Sequence, residues 1–238
     1  MGRAFEVRKA AMMKTSAAKT KVYSRFGKEI YIAAKAGVPD PEMNQGLKRM
    51  IERAKANQVP ADVIKRAIEK AKGGTDESYT SVRYEGFGPG NCTIIVDCLT
   101  DNVNRTVSDV RNCFTKTKSK MGVSGSVAHL YDHIGILAFD YADDEAMLDA
   151  LIENDVDVID LELDGQTMNL TVNPNDLYKA KAAVESLIPE VEFSALETTM
   201  SPHEMVSLSG EDMDLFQRFM NMIDELDDVQ EVYHNVEM

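Results

Sequence analysis

The sequence predicts an α+β protein: a helical N-terminal domain followed by two ferredoxin-like α/β domains, one inserted in the other. Three observations predict it. The first 72 residues carry 17 Lys and Arg against 7 Asp and Glu, although the whole chain has a net charge of -14. The remaining residues therefore hold 9 basic against 33 acidic side chains, so a basic module precedes an acidic body. At Gly73-Gly74 the hydrophobic period changes from 3.6 to 2. Beyond that point a complete β-α-β-β-α-β run is flanked by two β-α-β halves, neither of which can bury a sheet face alone.

Residues 1–19 have no clean amphipathic period and read as a basic arm. From Thr20, Val22, Phe26, Ile30 and Ala33 form one helical stripe, ended by Gly37-Val38-Pro39-Asp40-Pro41. A second helix is expected over 41–56, with Met43, Leu47, Met50, Ile51 and Ala54 inward. A third begins near Pro60, carries Ile64, Ala67, Ile68 and Ala71 inward, and stops at Gly73-Gly74.

Residues 92–99 read as a buried strand. Thr100-Asp101-Asn102 offers capping oxygens to a helix over 103–118, with Val107, Val110, Cys113 and Phe114 inward. A strand is expected at 126–131. The inserted unit follows: strand 134–141, helix 144–154 with Met147, Leu148, Leu151 and Ile152 inward, and strands 156–163 and 167–172 around the hairpin signal Asp164-Gly165. Helix 175–187 and strand 191–198 close it. A short strand near 205–208, a helix over 211–226 with Leu215, Phe219, Met222 and Ile223 inward, and a strand over 230–236 complete the outer domain. The expected domains are 1–75, then 78–132 with 203–238 (the split α/β domain), and 133–202 (the inserted acidic one).

Several function classes have no support. No run approaches the length of a membrane span, and the N-terminus lacks the apolar core of a secretory signal, so the expected location is cytoplasmic. Cys92, Cys98 and Cys113 lack metal-ligand spacing and read as buried free thiols. Gly86-Phe87-Gly88-Pro89-Gly90 precedes a strand, whereas a phosphate cradle needs glycines between a strand and a helix; a turn is expected. Asp160–Gly165 imitates the start of a calcium loop, but its twelfth position is Thr171 instead of a bidentate Glu. His129 and His133 have ligand spacing only on a helix, and their surroundings read as strand and turn. With no nucleophile elbow either, the expectation is a monomeric non-enzyme without metal, cofactor or small-molecule substrate.

The basic module is the remaining signal. A surface that neutralises phosphates releases counterions, and few aromatics (Phe5, Tyr23, Phe26 and Tyr31) interleave its charges, so backbone contact is expected over base stacking. The expected phosphate contacts are Arg3, Arg8, Lys9, Lys14, Lys19, Lys21, Arg25, Lys28, Lys48, Arg49, Arg53 and Lys55, with Lys116, Lys118 and Lys120 as a second contact loop.

Tyr84-Glu85-Gly86-Phe87-Gly88-Pro89-Gly90, the string Leu99-Thr100-Asp101-Asn102-Val103-Asn104-Arg105-Thr106 with Val110-Arg111, and Gly125-Ser126-Val127-Ala128 closely resemble the YebC/PmpR family. The resemblance covers essentially the whole chain. It implies a three-domain cytoplasmic protein, helical first, with one α/β domain inserted in the other. It also implies a DNA-binding transcriptional regulator, or alternatively a ribosome-associated translation factor on ribosomal RNA, as for a mitochondrial relative that activates translation of a cytochrome oxidase subunit. The chain departs from the family at its start, Gly2-Arg3-Ala4-Phe5-Glu6 where Gly-His-Ser-Lys-Trp is usual. It departs again at Lys116–Gly122, which is more basic and lacks paired glycines.

Overall fold

The computed structural model describes residues 19–73 and 78–237. Cα packing divides the chain into two units: 16–128 with 206–236, and 129–205.

The first unit opens with helices α1 (Lys19–Lys35), α2 (Gln45–Ala56) and α3 (Ala61–Lys72). Phe26, Ile30, Tyr31 and Ala34 of α1 pack on Leu47 and Ala54 of α2 and on Ile64, Ala67 and Ala71 of α3. Phe26 and Tyr31, counted among the aromatics between the charges, are buried core residues and unavailable as stacking platforms. α2 starts four residues later than the periodicity suggests. Asn44 is its N-cap, its side-chain oxygen accepting from Leu47 N at 3.0 Å while its amide donates to Ala33 and Val38 carbonyls at 2.9 and 3.0 Å. One side chain thereby caps α2 and ties it to the end of α1. Met43 falls before the cap and is 72% exposed, not inward.

The same unit holds a four-stranded antiparallel sheet of β1 (Thr80–Phe87), β2 (Thr93–Thr100), β3 (Lys120–Met121) and β8 (Val229–His234), in the order β3-β1-β2-β8. Helices α4 (Val103–Lys116) and α7 (Gly210–Asp224) contribute Val110, Cys113, Phe114, Phe216, Phe219 and Ile223 to the core over it. This is the ferredoxin-like spatial order reached by another path. The position normally filled from mid-chain is taken by β1, which pairs antiparallel with β2 over eight residues. β1 was not anticipated from sequence, and its last residues include part of the Gly86–Gly90 turn. The expected strand at 126–131 is a 3-10 turn at Ala128–Leu130 leading into the next sheet, and that near 205–208 shrinks to one parallel bridge between Val206 and Val236. Gly86 is required by packing: a Cβ there would stand 2.5 Å from Phe114 Cε1 and 2.6 Å from Lys120 O.

The second unit is the inserted one. Strands β4 (Tyr131–Asp140), β5 (Val158–Asp164), β6 (Thr167–Val172) and β7 (Phe193–Pro202) pair antiparallel in the order β5-β6-β4-β7. Helices α5 (Asp144–Glu153) and α6 (Leu177–Leu187) cover one face, around Leu137, Phe139, Met147, Leu151, Leu170 and Val184. Gly165, at φ +66, turns the β5–β6 hairpin where the calcium-loop imitation lies. Leu148 and Ile152, expected inward on α5, are exposed.

All three cysteines are free and buried. Burial raises the Cys92 and Cys98 thiols to about 11 and about 12. A thiol reagent at pH 8 should therefore modify none of them before unfolding; prompt modification of a folded sample would contradict this packing. Leu47→Ala should cost about 2–5 kcal/mol in chemical denaturation, whereas Met43→Ala should change stability by under about 0.5 kcal/mol.

Candidate nucleic-acid interface

The basic residues of α1 do not share one environment with those of α2. Along α1, Lys21, Arg25 and Lys28 recur at helical spacing and meet acids at the end of α7 and beyond it. Lys21 Nζ lies 3.2 Å from Asp224 Oδ1, Arg25 pairs with Glu231 of β8, and Lys28 Nζ lies 3.2 Å from Asp228 Oδ1. Lys28 also donates to the Asp227 carbonyl at 2.8 Å. Arg53 of α2 joins this seam, 3.4 Å from Glu29 and 3.8 Å from Glu231. Burial raises the Glu29 carboxyl, opposed by Arg53 and Arg25.

Asp228 is the centre of the seam. Its Oδ2 accepts from Arg105 at 2.7 Å, with the Thr106 and Thr100 hydroxyls at 2.9 and 3.0 Å. Its backbone carbonyl accepts from Leu99 N at 2.7 Å. Burial would raise this carboxyl, but donation from Arg105, Thr106, Lys28 and Thr100 holds it below the usual carboxylate range. Arg105 also pairs with Asp101 at 2.8 Å, and its own value is raised by Asp228 first and Asp101 second. The Thr-Asp-Asn-x-Asn-Arg-Thr string is thus the wall of a carboxylate site, with Asn102 capping α4 by accepting from Arg105 N at 3.1 Å.

A second buried carboxylate orders the loop after β3. Glu85 accepts backbone N–H bonds from Gly125 at 2.8 Å and from Val127 and Ala128 at 2.7 Å each. Burial raises its carboxyl, but the three amides outweigh that and lower it. The loop they hold presents Val123, 77% exposed.

Of the expected phosphate contacts, Lys48, Arg49 and Lys55 lie exposed on α2. Lys21, Arg25, Lys28 and Arg53 sit in the ion pairs above. Arg3, Arg8, Lys9, Lys14 and the side chain of Lys19 lie outside the described residues. In the second loop Lys116 and Lys120 are exposed, while Lys118 pairs with Glu211. Among the described residues no group of three or more His, Cys, Asp or Glu could hold a metal, and no helix is long and apolar enough to cross a membrane.

Residues 79–236 match the model of the TACO1/YebC second and third domain, and residues 3–74 that of the TACO1/YebC N-terminal domain. The chain belongs to the TACO1/YebC family. Among its relatives, a "probable transcriptional regulatory protein" of Alteromonas mediterranea is 51% identical over 235 residues, covering 99% of this chain and 98% of that one. One of Vibrio parahaemolyticus is 50% identical over 238 residues, covering both chains in full. The crystal structure of a conserved hypothetical protein from Aquifex aeolicus is similar at a TM-score of 0.75 and 32% identity, covering 94% of this chain and 92% of that one. The stretches that carry the likeness to TACO1/YebC proteins supply both carboxylate sites: Glu85 and its three amide donors, and Thr100, Arg105 and Thr106 around Asp228. No sequence signal pointed to Asp228 itself, because its partners lie more than a hundred residues away.

Asp228 and Glu85 both have depressed folded values. Their contribution to stability is therefore present above their unfolded values of about 4 and is lost as pH falls through the lower folded ones. Asp228→Asn should cost about 1–3 kcal/mol near neutrality and give a shallower loss of stability below about pH 4, read by urea denaturation across pH. An acid limb identical to the parent's would refute the assignment.

Proposed function

We propose that this TACO1/YebC chain is a nucleic-acid-binding regulatory protein of the cytoplasm, gripping the backbone of duplex DNA through the exposed face of α2. The observation that carries this is the division of the basic module. Lys21, Arg25, Lys28 and Arg53 are engaged with the protein's own acids, while Lys48 and Lys55 are exposed on one helix. Residues 48 and 55 are two turns apart and so lie along the same side. Such a row suits the phosphate repeat of a duplex, and the burial of Phe26 and Tyr31 leaves backbone contact as the main mode. The relatives named as probable transcriptional regulators support a regulatory role. The arm cations Arg3, Arg8, Lys9, Lys14 and Lys19 belong to the same expectation.

The loop held by Glu85 favours a second reading. A loop held by three amides to Glu85, with Val123 exposed and the exposed Lys116 and Lys120 shortly before it in the chain, suits contact with folded RNA, as a ribosome-associated translation factor on ribosomal RNA would need.

Reversing Lys48, Arg49 and Lys55 to Glu should abolish duplex retardation in gels. It should also reduce the slope of log affinity against log salt by about 2–3, near one per phosphate contact. Unchanged retardation would exclude α2 as the contact. If the triple variant instead binds duplex normally but no longer sediments with ribosomes, and deleting 122–125 has the same effect, the RNA reading replaces the DNA one.

A further inference from the structure

Within the first unit, the helical module meets the sheet through charges and without a shared apolar core. The core of α1, α2 and α3 is closed on itself, and the core under α4 and α7 contains none of its residues. Among the described apolar residues beyond α3, Tyr79 alone packs on the helical core, edge-on to Tyr31 with 6.0 Å between ring centroids. Ion pairs join the two parts: Lys21 with Asp224, Arg25 and Arg53 with Glu231, and Lys28 with Asp228. Separating them would leave both apolar cores intact and expose mainly polar groups, which water hydrates.

The acids of this seam imitate a phosphate backbone. Residues 224–231 hold Asp224, Glu225, Asp227, Asp228 and Glu231, five carboxylates without a basic residue among them. The cations they meet on α1 recur at i, i+4 and i+7, so they lie along one side of the helix. The pairs differ in depth. Lys28 is the most enclosed, with Nζ 2.8 Å from the Asp227 carbonyl and 5.8 Å from the centroid of Tyr79. At the other end Asp224 is open to solvent, so salt and a competing anion reach the Lys21 pair first. A duplex carries about one charge per 1.7 Å of axis and releases condensed counterions when cations neutralise it. Five carboxylates on one short segment condense few, so phosphate displaces them as polyanion concentration rises.

We propose that the seam is an electrostatic latch. At rest the C-terminal acids occupy Lys21, Arg25 and Arg53. A bound polyanion takes these cations over, and the helical module swings off β8 about Lys28 and Tyr79. The exposed Lys48 and Lys55 make the first contact, and the cations of the seam join them only after exchange. That the polyanion is a nucleic acid rests on the function proposed above; the opening itself does not, because any polyphosphate chain competes for the same cations.

The test places nitroxides on the full chain through Glu69→Cys in α3 and Ser108→Cys in α4, both exposed positions; the buried native thiols stay unlabelled. Double electron–electron resonance then reads the distance between them without ligand, with inorganic polyphosphate and with a DNA duplex. One narrow distribution is expected without ligand at low salt, and a second, shifted population with polyphosphate. Asp224→Asn combined with Glu231→Gln should populate the shifted state without ligand and bind polyphosphate about tenfold more tightly. Asp224→Asn alone, at a solvent-exposed position, should do so in smaller degree and serves if the double variant fails to fold. An unshifted distribution at every polyphosphate concentration would overturn the latch, and so would a duplex that binds without moving the labels, although the DNA reading would then stand. If polyphosphate opens the module and the duplex does not bind, the latch stands and the DNA reading falls.

Discussion

The carboxylate of Asp228 is the constraint on which the first unit depends. A buried carboxylate survives only when its oxygens are matched by donors, and the donors here come from three separate parts of the chain. Thr100 closes β2, Arg105 and Thr106 open α4, and Lys28 projects from α1. Satisfying one group therefore sets three relations together: the end of the sheet, the start of α4 and the seat of α1. The adjoining pairs of Lys21, Arg25 and Arg53 extend the seam, and that of Lys21 is screened most, because its Asp224 lies open to solvent.

This seam changes the meaning of the charge imbalance. A module with a net charge of +10 invites the view that its whole surface faces a polyanion. Part of that charge instead neutralises the C-terminal acids, so the module is basic in composition but divided in use. The acids at the end of α7 and beyond it hold Lys21, Arg25, Lys28 and Arg53, while Lys48 and Lys55 of α2 stay exposed. The C-terminal acids of the first unit are thus structural partners of the basic module.

Glu85 plays a comparable role at the other end of the sheet. Three convergent amides tie a glycine-bearing loop to Glu85, and Gly86 beside it lets Phe114 and the Lys120 carbonyl approach the strand closely. The motifs that mark the family thereby have a physical purpose in this chain. They build and close two buried carboxylate sites.

The sequence by itself determined the local features. Amphipathic spacing placed the three N-terminal helices, Asn102 marked the start of α4, and alternation with Asp164-Gly165 marked the β5–β6 hairpin, because period and capping act over a few residues. The nesting of one α/β domain in another was legible as well, since each half of a split sheet needs its complement to bury a face. Tertiary structure alone decided the rest. The Asn44 cap that delays α2 is local and was passed over by reading period alone, whereas that β1 takes a central place and that Leu148 and Ile152 face outward depend on neighbours distant in sequence. The same holds for the cations: Lys28 and Lys48 look equivalent in a composition, and only the position of Asp228, two hundred residues from Lys28, separates a structural lysine from one turned to solvent.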